Sequence, residues 1–142
     1  MPNFDTIKAI TDNLQDVLRK LGVKFDRKTY DDKTVSASVL PLGEIRYERE
    51  VFEYTHGQRP GYAEAAFALR VILNQCEPQD TMRHQQDWAH RIRDAVTVNA
   101  LNTGALADSK LVSLVNTTDV AITYEPPLST IDYRLNVRYR EV

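Results

Sequence analysis

The sequence contains little cysteine, histidine or glycine, and it has no long hydrophobic run. Its 142 residues include one cysteine, Cys76, together with three histidines and five glycines. A single cysteine excludes an intrachain disulfide, so the chain does not resemble the disulfide-stapled secreted domains. The longest apolar run, residues 65–69, is too short to cross a bilayer, and residues 1–5 lack the basic and apolar regions of a signal peptide. We therefore expect a soluble protein of the reducing cytosol.

The charge of the chain is nearly balanced, with 18 basic and 20 acidic residues and a formal net charge of −2. Proteins that bind the phosphate backbone of nucleic acids need a net basic field or a dense basic stripe, and this balance favours neither.

The hydrophobic fraction of 42% and the charged fraction of 27% are typical of a globular protein. A length of 142 residues fits one domain, so we expect residues 1–142 to fold as a single unit.

Sequence motifs of known catalytic or metal-binding chemistry are missing. The chain has no Walker loop, dinucleotide fingerprint, G-x-S-x-G elbow or paired-cysteine metal motif. His84 and His90 would lie nearly opposite each other on a helix, so they cannot bind one metal as an i,i+4 pair does. Cys76 has no base or electropositive neighbour in the sequence that would activate its thiol. We therefore expect no catalytic residue, cofactor or metal site, and we interpret the chain as a binding protein and not as an enzyme.

Two segments have the periodicity of amphipathic helices. Residues 5–21 carry an apolar stripe at helical spacing, with Asn3 or Asp5 as a cap at the start and Gly22 where a helix-ending glycine stands. This stripe consists of Ile7, Ile10, Leu14, Val17, Leu18 and Leu21. Residues 80–100 form the second predicted helix. Its inward stripe is predicted to consist of Gln85, Trp88, Ile92, Ala95, Val96 and Asn99.

Several segments have the alternation or the composition of β-strands. They are residues 34–40, 44–54, 62–73, 111–124 and 131–140. Residues 62–73 have the pattern of a central strand, whereas residues 44–54 mix strand formers with charges, which is typical of a solvated strand or a hairpin arm. A bulge is predicted near residues 116–118. The order α-β-β-β-α-β-β indicates an α+β fold, in which an antiparallel or mixed β-sheet of four to five strands has two helices packed on one face.

Two groups of side chains are candidates for contacts with other subunits. The first lies around a turn-rich loop and combines aromatic residues, histidine and arginine; aromatic residues and arginine are enriched at interface hot spots. It comprises Tyr47, Phe52, Tyr54, His56 and Arg59. The second lies on the polar side of the last strand, where arginine forks would bind carboxylates of a neighbouring copy. It comprises Arg134, Arg138 and Arg140. An intrachain role stays open for both: the rings would pack on the domain's own core, and the arginines would line a solvated sheet face.

The layout of the chain resembles the tail terminator and related neck or tail-completion proteins of long-tailed bacteriophages. The features that carry this resemblance are the N-terminal amphipathic helix, the charged β arm, the long strand at residues 63–73, the helix around residues 88–92 and the closing strand at residues 133–139. It implies a homo-oligomeric ring, commonly of six copies, that caps the tail tube, ends its polymerisation and joins it to the head connector. In such a ring, an arm at residues 44–61 would reach a neighbouring subunit.

The resemblance also implies partners and a location. The partners are further copies of the chain, the tail tube protein and the head-tail connector or adaptor protein, while DNA passes through the lumen without specific binding and no membrane is involved. The chain would be part of the virion neck or tail after assembly in the host cytoplasm. Three alternatives stay open: a head-completion or connector subunit, a small cytosolic α+β enzyme or ligand-binding domain, and a nucleic-acid binder. The last is disfavoured by the net charge of −2.

Overall fold

The computed structural model describes residues 3–25, 40–53, 61–74, 78–125 and 128–141. In chain order its elements are α1 (Asn3–Lys20), β1 (Leu42–Glu53), β2 (Tyr62–Asn74), α2 (Pro78–Ala95), α3 (Val98–Leu101), a 3-10 turn (Gly104–Leu106), β3 (Val112–Glu125) and β4 (Leu128–Arg140). The predicted α+β class is confirmed. The strand predicted at residues 34–40 lies outside the described residues except for Leu40, and Cys76 lies outside them as well.

The four described strands form one antiparallel sheet in the spatial order β1-β2-β4-β3. Two hairpin pairs, β1 with β2 and β3 with β4, are joined by the central pairing of β2 with β4. The strands β1 and β3 are therefore the two edges of the sheet. The register of β3 shifts between Thr117 and Asp119, which confirms the bulge predicted near residues 116–118. A second shift in β3 lies close to its start, and β1 has one between Tyr47 and Arg49.

The main helices pack on one side of the sheet, as predicted, and the hydrophobic core lies between the two layers. We call this side of the sheet the helix face and the opposite side the open face. The alternation predicted for the central strands is confirmed, because their helix-face side chains are at most 2% exposed. These side chains are Ala63, Ala65, Phe67, Leu69, Val71, Leu73, Ile131, Tyr133, Leu135, Val137 and Tyr139.

The first helix matches its predicted apolar stripe and adds one polar core residue. α1 ends before Gly22, whose φ of 97° is a left-handed conformation that glycine adopts at low cost. Asn13 is only 5% exposed, and its side-chain amide donates to the carbonyl oxygens of Leu101 at 2.8 Å and Thr103 at 3.0 Å. The amide thereby ties α1 to the turn that follows α3. The amide of Asn3, where α1 begins, donates to the Glu141 carboxylate at 2.6 Å.

The second helix is shorter than predicted. It ends at Ala95, and the chain starts a new helical turn after Thr97, whose hydroxyl accepts a hydrogen bond from the Ala100 backbone N–H at 3.2 Å. This local capping interrupts the helix predicted over residues 80–100 because it offers the backbone an alternative partner. Gln85, Trp88 and Ile92 are buried as predicted, whereas the prediction was wrong for Asn99, which lies beyond the break and is exposed.

Candidate interaction surface

No helix of the described residues covers the open face of the sheet. The middle of this face is low because β2 presents the small side chains Ala66 and Ala68 there. Each lies beside a longer polar residue of β4: Asn136 next to Ala66, and Arg134 next to Ala68. The open face is therefore shallow where the alanine side chains lie, and polar and charged side chains border this shallow region.

The three arginines predicted on the last strand all lie on the open face, but their environments differ. Arg138 is bound within its own chain: its guanidinium is 2.9 Å from the Glu53 carboxylate and stacks 4.0 Å from the centre of the Tyr62 ring. Arg134 and Arg140 are exposed, and neither makes an ion pair with a described residue. The intrachain alternative therefore applies to Arg138, and the other two guanidinium groups are available to a partner.

A shallow groove of about 340 Å³ crosses the open face at the level of Arg134. Arg49 of β1 and Arg134 of β4 both line it, with Ala66 and Asn136 between them. The Thr118 hydroxyl at the bulge of β3 donates to the Arg134 carbonyl oxygen at 3.1 Å. Glu48 also lines the groove, beside the two guanidinium groups and the amide. The two arginines suit a carboxylate of another protein, because arginine binds carboxylates through paired N–H donors.

The aromatic candidates of β1 lie on the other side of the sheet, the helix face. Tyr47 and Phe52 are 48% and 45% exposed. The Tyr47 ring meets the buried Phe67 ring edge-on, with centroids 5.9 Å apart and planes at 66°, so one edge of Tyr47 packs on the core while the rest is solvated. Of the sequence-predicted group, Tyr54, His56 and Arg59 lie outside the described residues. The structure therefore separates the two described groups of candidates onto opposite faces of the sheet.

Glu50 of the edge strand β1 contacts the buried core on the helix face. Its carboxylate accepts hydrogen bonds from the Tyr47 hydroxyl at 2.7 Å and from the hydroxyl of the buried Tyr139. Burial, then the hydrogen bond and negative charge of Glu50, raise the pKa of Tyr47 to about 12, and the same causes raise the pKa of Tyr139 well above its usual range. The sequence pattern of residues 44–54 predicted a solvated strand or a hairpin arm and did not indicate these contacts.

Apart from Tyr47 and Phe52, sequence reasoning did not identify the exposed apolar side chains of the two edge strands. Of the nine large hydrophobic side chains that are exposed in the described part of the chain, six lie on β1 and β3. They are Tyr47, Val51, Phe52, Leu114, Val120 and Ile122. A signal was present in the sequence, because both strands have apolar residues at odd and even positions, so neither side of the strand is wholly polar. Exposed apolar groups that cluster at one location mark interaction sites.

Other possible sites on the described residues are less developed. An open depression of about 500 Å³ lies between α1 and the turn after α3, lined by residues that include Asn13, Arg19 and Thr103. Nowhere in the described ranges do three or more histidine, cysteine, aspartate or glutamate side chains form a group that could hold a metal ion. Within the same ranges, no helix has both the length and the apolar character needed to span a membrane.

Comparisons with known proteins give a likeness in structure. No protein-family model matches the chain, and no curated protein matches its sequence. Among solved structures, a chain described as belonging to the virion of the native gene transfer agent particle superposes with a TM-score of 0.52. The match covers 93% of this chain and 92% of that chain, at 12% sequence identity. The two chains share a fold. Because the likeness covers nearly the whole of both chains, it applies to the complete arrangement of helices and strands and not to a single motif.

Proposed function

We propose that this chain is a structural subunit of a phage-like virion. Its role is to form a homo-oligomeric ring at the end of the tail tube, and the resemblance to tail terminator proteins implies six copies. The ring would end polymerisation of the tube protein, bind the head connector and let DNA pass through its lumen. It would act through surface complementarity and not through catalysis, and its place would be the neck or tail of the particle after assembly in the host cytoplasm.

The observation that carries this proposal is the shared fold with a chain of a gene transfer agent virion over nearly the full length of both proteins. A structural role also agrees with the distribution of surface groups. The described residues offer exposed aromatic side chains and free guanidinium groups, which are the side chains that dominate protein–protein interfaces. Arg134 and Arg140 on the open face and Tyr47 and Phe52 on the helix face would serve different neighbours, because they point to opposite sides of the sheet.

Particles assembled without this protein provide the test. A capped tube stops growing, so removing the cap should leave tubes of abnormal length that are not joined to heads, and adding the purified protein should restore normal particles. Electron microscopy of both preparations measures tail length and joining. Localising the chain in complete particles by cryo-electron microscopy should then find it between tail and head.

Two other outcomes would contradict the proposal in different ways. Tails of normal length beside unjoined heads would indicate a head-completion or connector subunit, which ends no polymerisation. Complete and joined particles made without the chain would show that the neck assembles without it.

A further inference from the structure

The exposed apolar side chains of the two edge strands are distributed in the same way between the two faces of the sheet. On the helix face, β1 exposes Tyr47 and Phe52, and β3 exposes Val120 and Ile122. On the open face, β1 exposes Val51 and β3 exposes Leu114, which are 54% and 52% exposed. Each edge thus presents two large apolar groups on the helix face and one on the open face.

The backbone of both edges is available for pairing within the described residues. Lys24 bridges to Leu42 at the start of β1, and from Ile45 to Val51 no described strand pairs with the outer edge of β1. At the start of β3, the Asn102 side chain binds both the N–H and the C=O of Val112, and no described strand pairs with the outer side of the rest of β3. Exposed edge strands are normally protected by lysine, proline or inward-pointing charge. From Val112 to Tyr124, β3 contains neither lysine nor proline, and Asp119 is its only charged residue.

The charges of the two edges are complementary on the open face. Arg46 of β1, Ala68 of β2, Arg134 of β4 and Asp119 of β3 occupy one row across the sheet. Arg46 therefore ends this row on one edge and Asp119 ends it on the other, and both side chains are exposed. If the sheet continued into a second copy, the acidic end of the row would meet a basic end.

The direction of the strands permits such a continuation. Four strands that alternate in direction leave β1 and β3 running opposite ways, so β3 of one copy is antiparallel to β1 of a second copy in the same orientation. The contact is head-to-tail, and a repeated head-to-tail contact generates a ring when its rotation closes.

We infer that the occupant of the β3 edge is the β1 edge of a second copy of this chain, so that the sheets of neighbouring subunits are continuous through antiparallel β3–β1 pairing. This inference rests on the proposed ring and names the strands that join its subunits. In the joint, Asp119 binds the arginines at positions 46 and 49 of the next copy. Leu114 lies beside Val51 of the next copy on the open face, because the two residues end one row of the sheet, and the exposed apolar side chains of both edges become shielded from solvent.

Charge exchange between the two edges tests this joint. One variant carries Asp119→Arg, and a second carries Arg46→Asp together with Arg49→Asp. Each alone places like charges at every joint, so self-association should be at least about tenfold weaker than for the unmodified chain. In an equal mixture, alternating subunits place opposite charges at every joint, so association should return. Sedimentation velocity over a range of concentrations measures all three samples.

Matched controls place the same charge changes on the exposed side of α2, as Asp87→Arg and Arg83→Asp. These variants should associate like the unmodified chain, and circular dichroism should show that all variants are folded. Association of the edge variants at the unmodified strength would overturn the inference, as would failure of the mixture to recover or an unmodified chain that stays monomeric at high concentration. These outcomes are distinct from failure of the proposed function, in which rings form by the same joint but the particle lacks the chain at its neck.

Discussion

The hydroxyl of Tyr139 donates a hydrogen bond to the carboxylate of Glu50, although the two residues lie on strands that do not pair with each other. Tyr139 is 0% exposed and belongs to β4, whereas Glu50 belongs to the edge strand β1. The long phenol side chain thus spans the intervening β2 strand and fixes the edge to the core. A charged acceptor strengthens such a hydrogen bond, and the buried hydroxyl depends on it.

Replacement of Glu50 by alanine should therefore reduce the free energy of unfolding by about 1–3 kcal/mol, because a buried hydroxyl loses its partner. Glu50→Gln keeps an acceptor oxygen and should cost less. The control is Glu48→Ala, at an exposed position of the same strand. Urea unfolding of the three variants measures the difference. Equal stability of the Glu50 and Glu48 variants would show that the contact with Tyr139 contributes nothing.

Stability should fall at alkaline pH because of the same cluster. The pKa of Tyr47 is raised to about 12, and that of Tyr139 is raised further, above the usual value of 10.0. The folded state therefore holds these protons more tightly than the unfolded state, so the stabilisation is complete below pH 10 and is lost as the pH rises toward 12. Urea unfolding between pH 9 and pH 11.5 should show the decrease. It should be smaller for Tyr47→Phe, and an equally steep decrease in that variant would exclude Tyr47 as a cause.

The central part of the fold could be predicted from the sequence because its patterns are regular. Residues 62–73 and 131–140 alternate strictly, and burial of one side follows directly from that alternation. The end of the second helix could not be predicted in this way, since the apolar pattern continues through Val96 while the hydroxyl of Thr97 starts a new turn. Periodicity describes which side of an element is buried, but a local capping bond decides where the element ends.

The candidate surface was predictable only in part. The composition of β1 and β4 indicated the aromatic and arginine groups, and the structure places Tyr47, Phe52 and the arginines at exposed or half-buried positions. Their separation onto two faces depends on the register of β1 against β2 and on the shift after Tyr47, which one sequence does not determine. Pairing of Arg138 with Glu53 joins residues 85 positions apart, and such a contact requires the sheet order.

Asn13 should be among the most sensitive polar positions of the core. Its amide donates to two carbonyl oxygens after α2, so Asn13→Ala should lower the free energy of unfolding by about 1–3 kcal/mol. Asn13→Asp should cost more, because a carboxylate places negative charge against two carbonyl oxygens and supplies no donor. Urea unfolding provides the measurement, with Asp12→Ala as an exposed control on the same helix. A milder effect for aspartate than for alanine would contradict the donor role.

Gly43 should resist substitution because another part of the chain approaches its backbone closely. A Cβ atom there would lie 2.6 Å from Cγ1 of Val23 and 2.8 Å from the Phe25 ring. Gly43→Ala should therefore destabilise the fold by about 1–3 kcal/mol through overpacking. Adding Val23→Ala should give a double variant whose loss is smaller than the sum of the two single losses, because it removes the nearest atom. Chemical unfolding of all three variants measures this coupling, and strictly additive losses would argue against the clash.

Substitutions of Phe52 and Tyr47 should affect assembly and folding differently, although both are exposed aromatic residues of β1. Phe52→Ala should change the free energy of unfolding by about 1 kcal/mol or less but weaken self-association, because the ring would contribute to the joint between subunits. Tyr47→Ala should impair both properties, since its ring packs on Phe67 and its hydroxyl binds Glu50.

Phe4→Ala, at a 77% exposed position on α1, is the matched control and should affect neither stability nor self-association. Unfolding in urea and sedimentation velocity together measure the two properties, and a large stability loss for Phe52→Ala with unchanged association would assign Phe52 to the core instead.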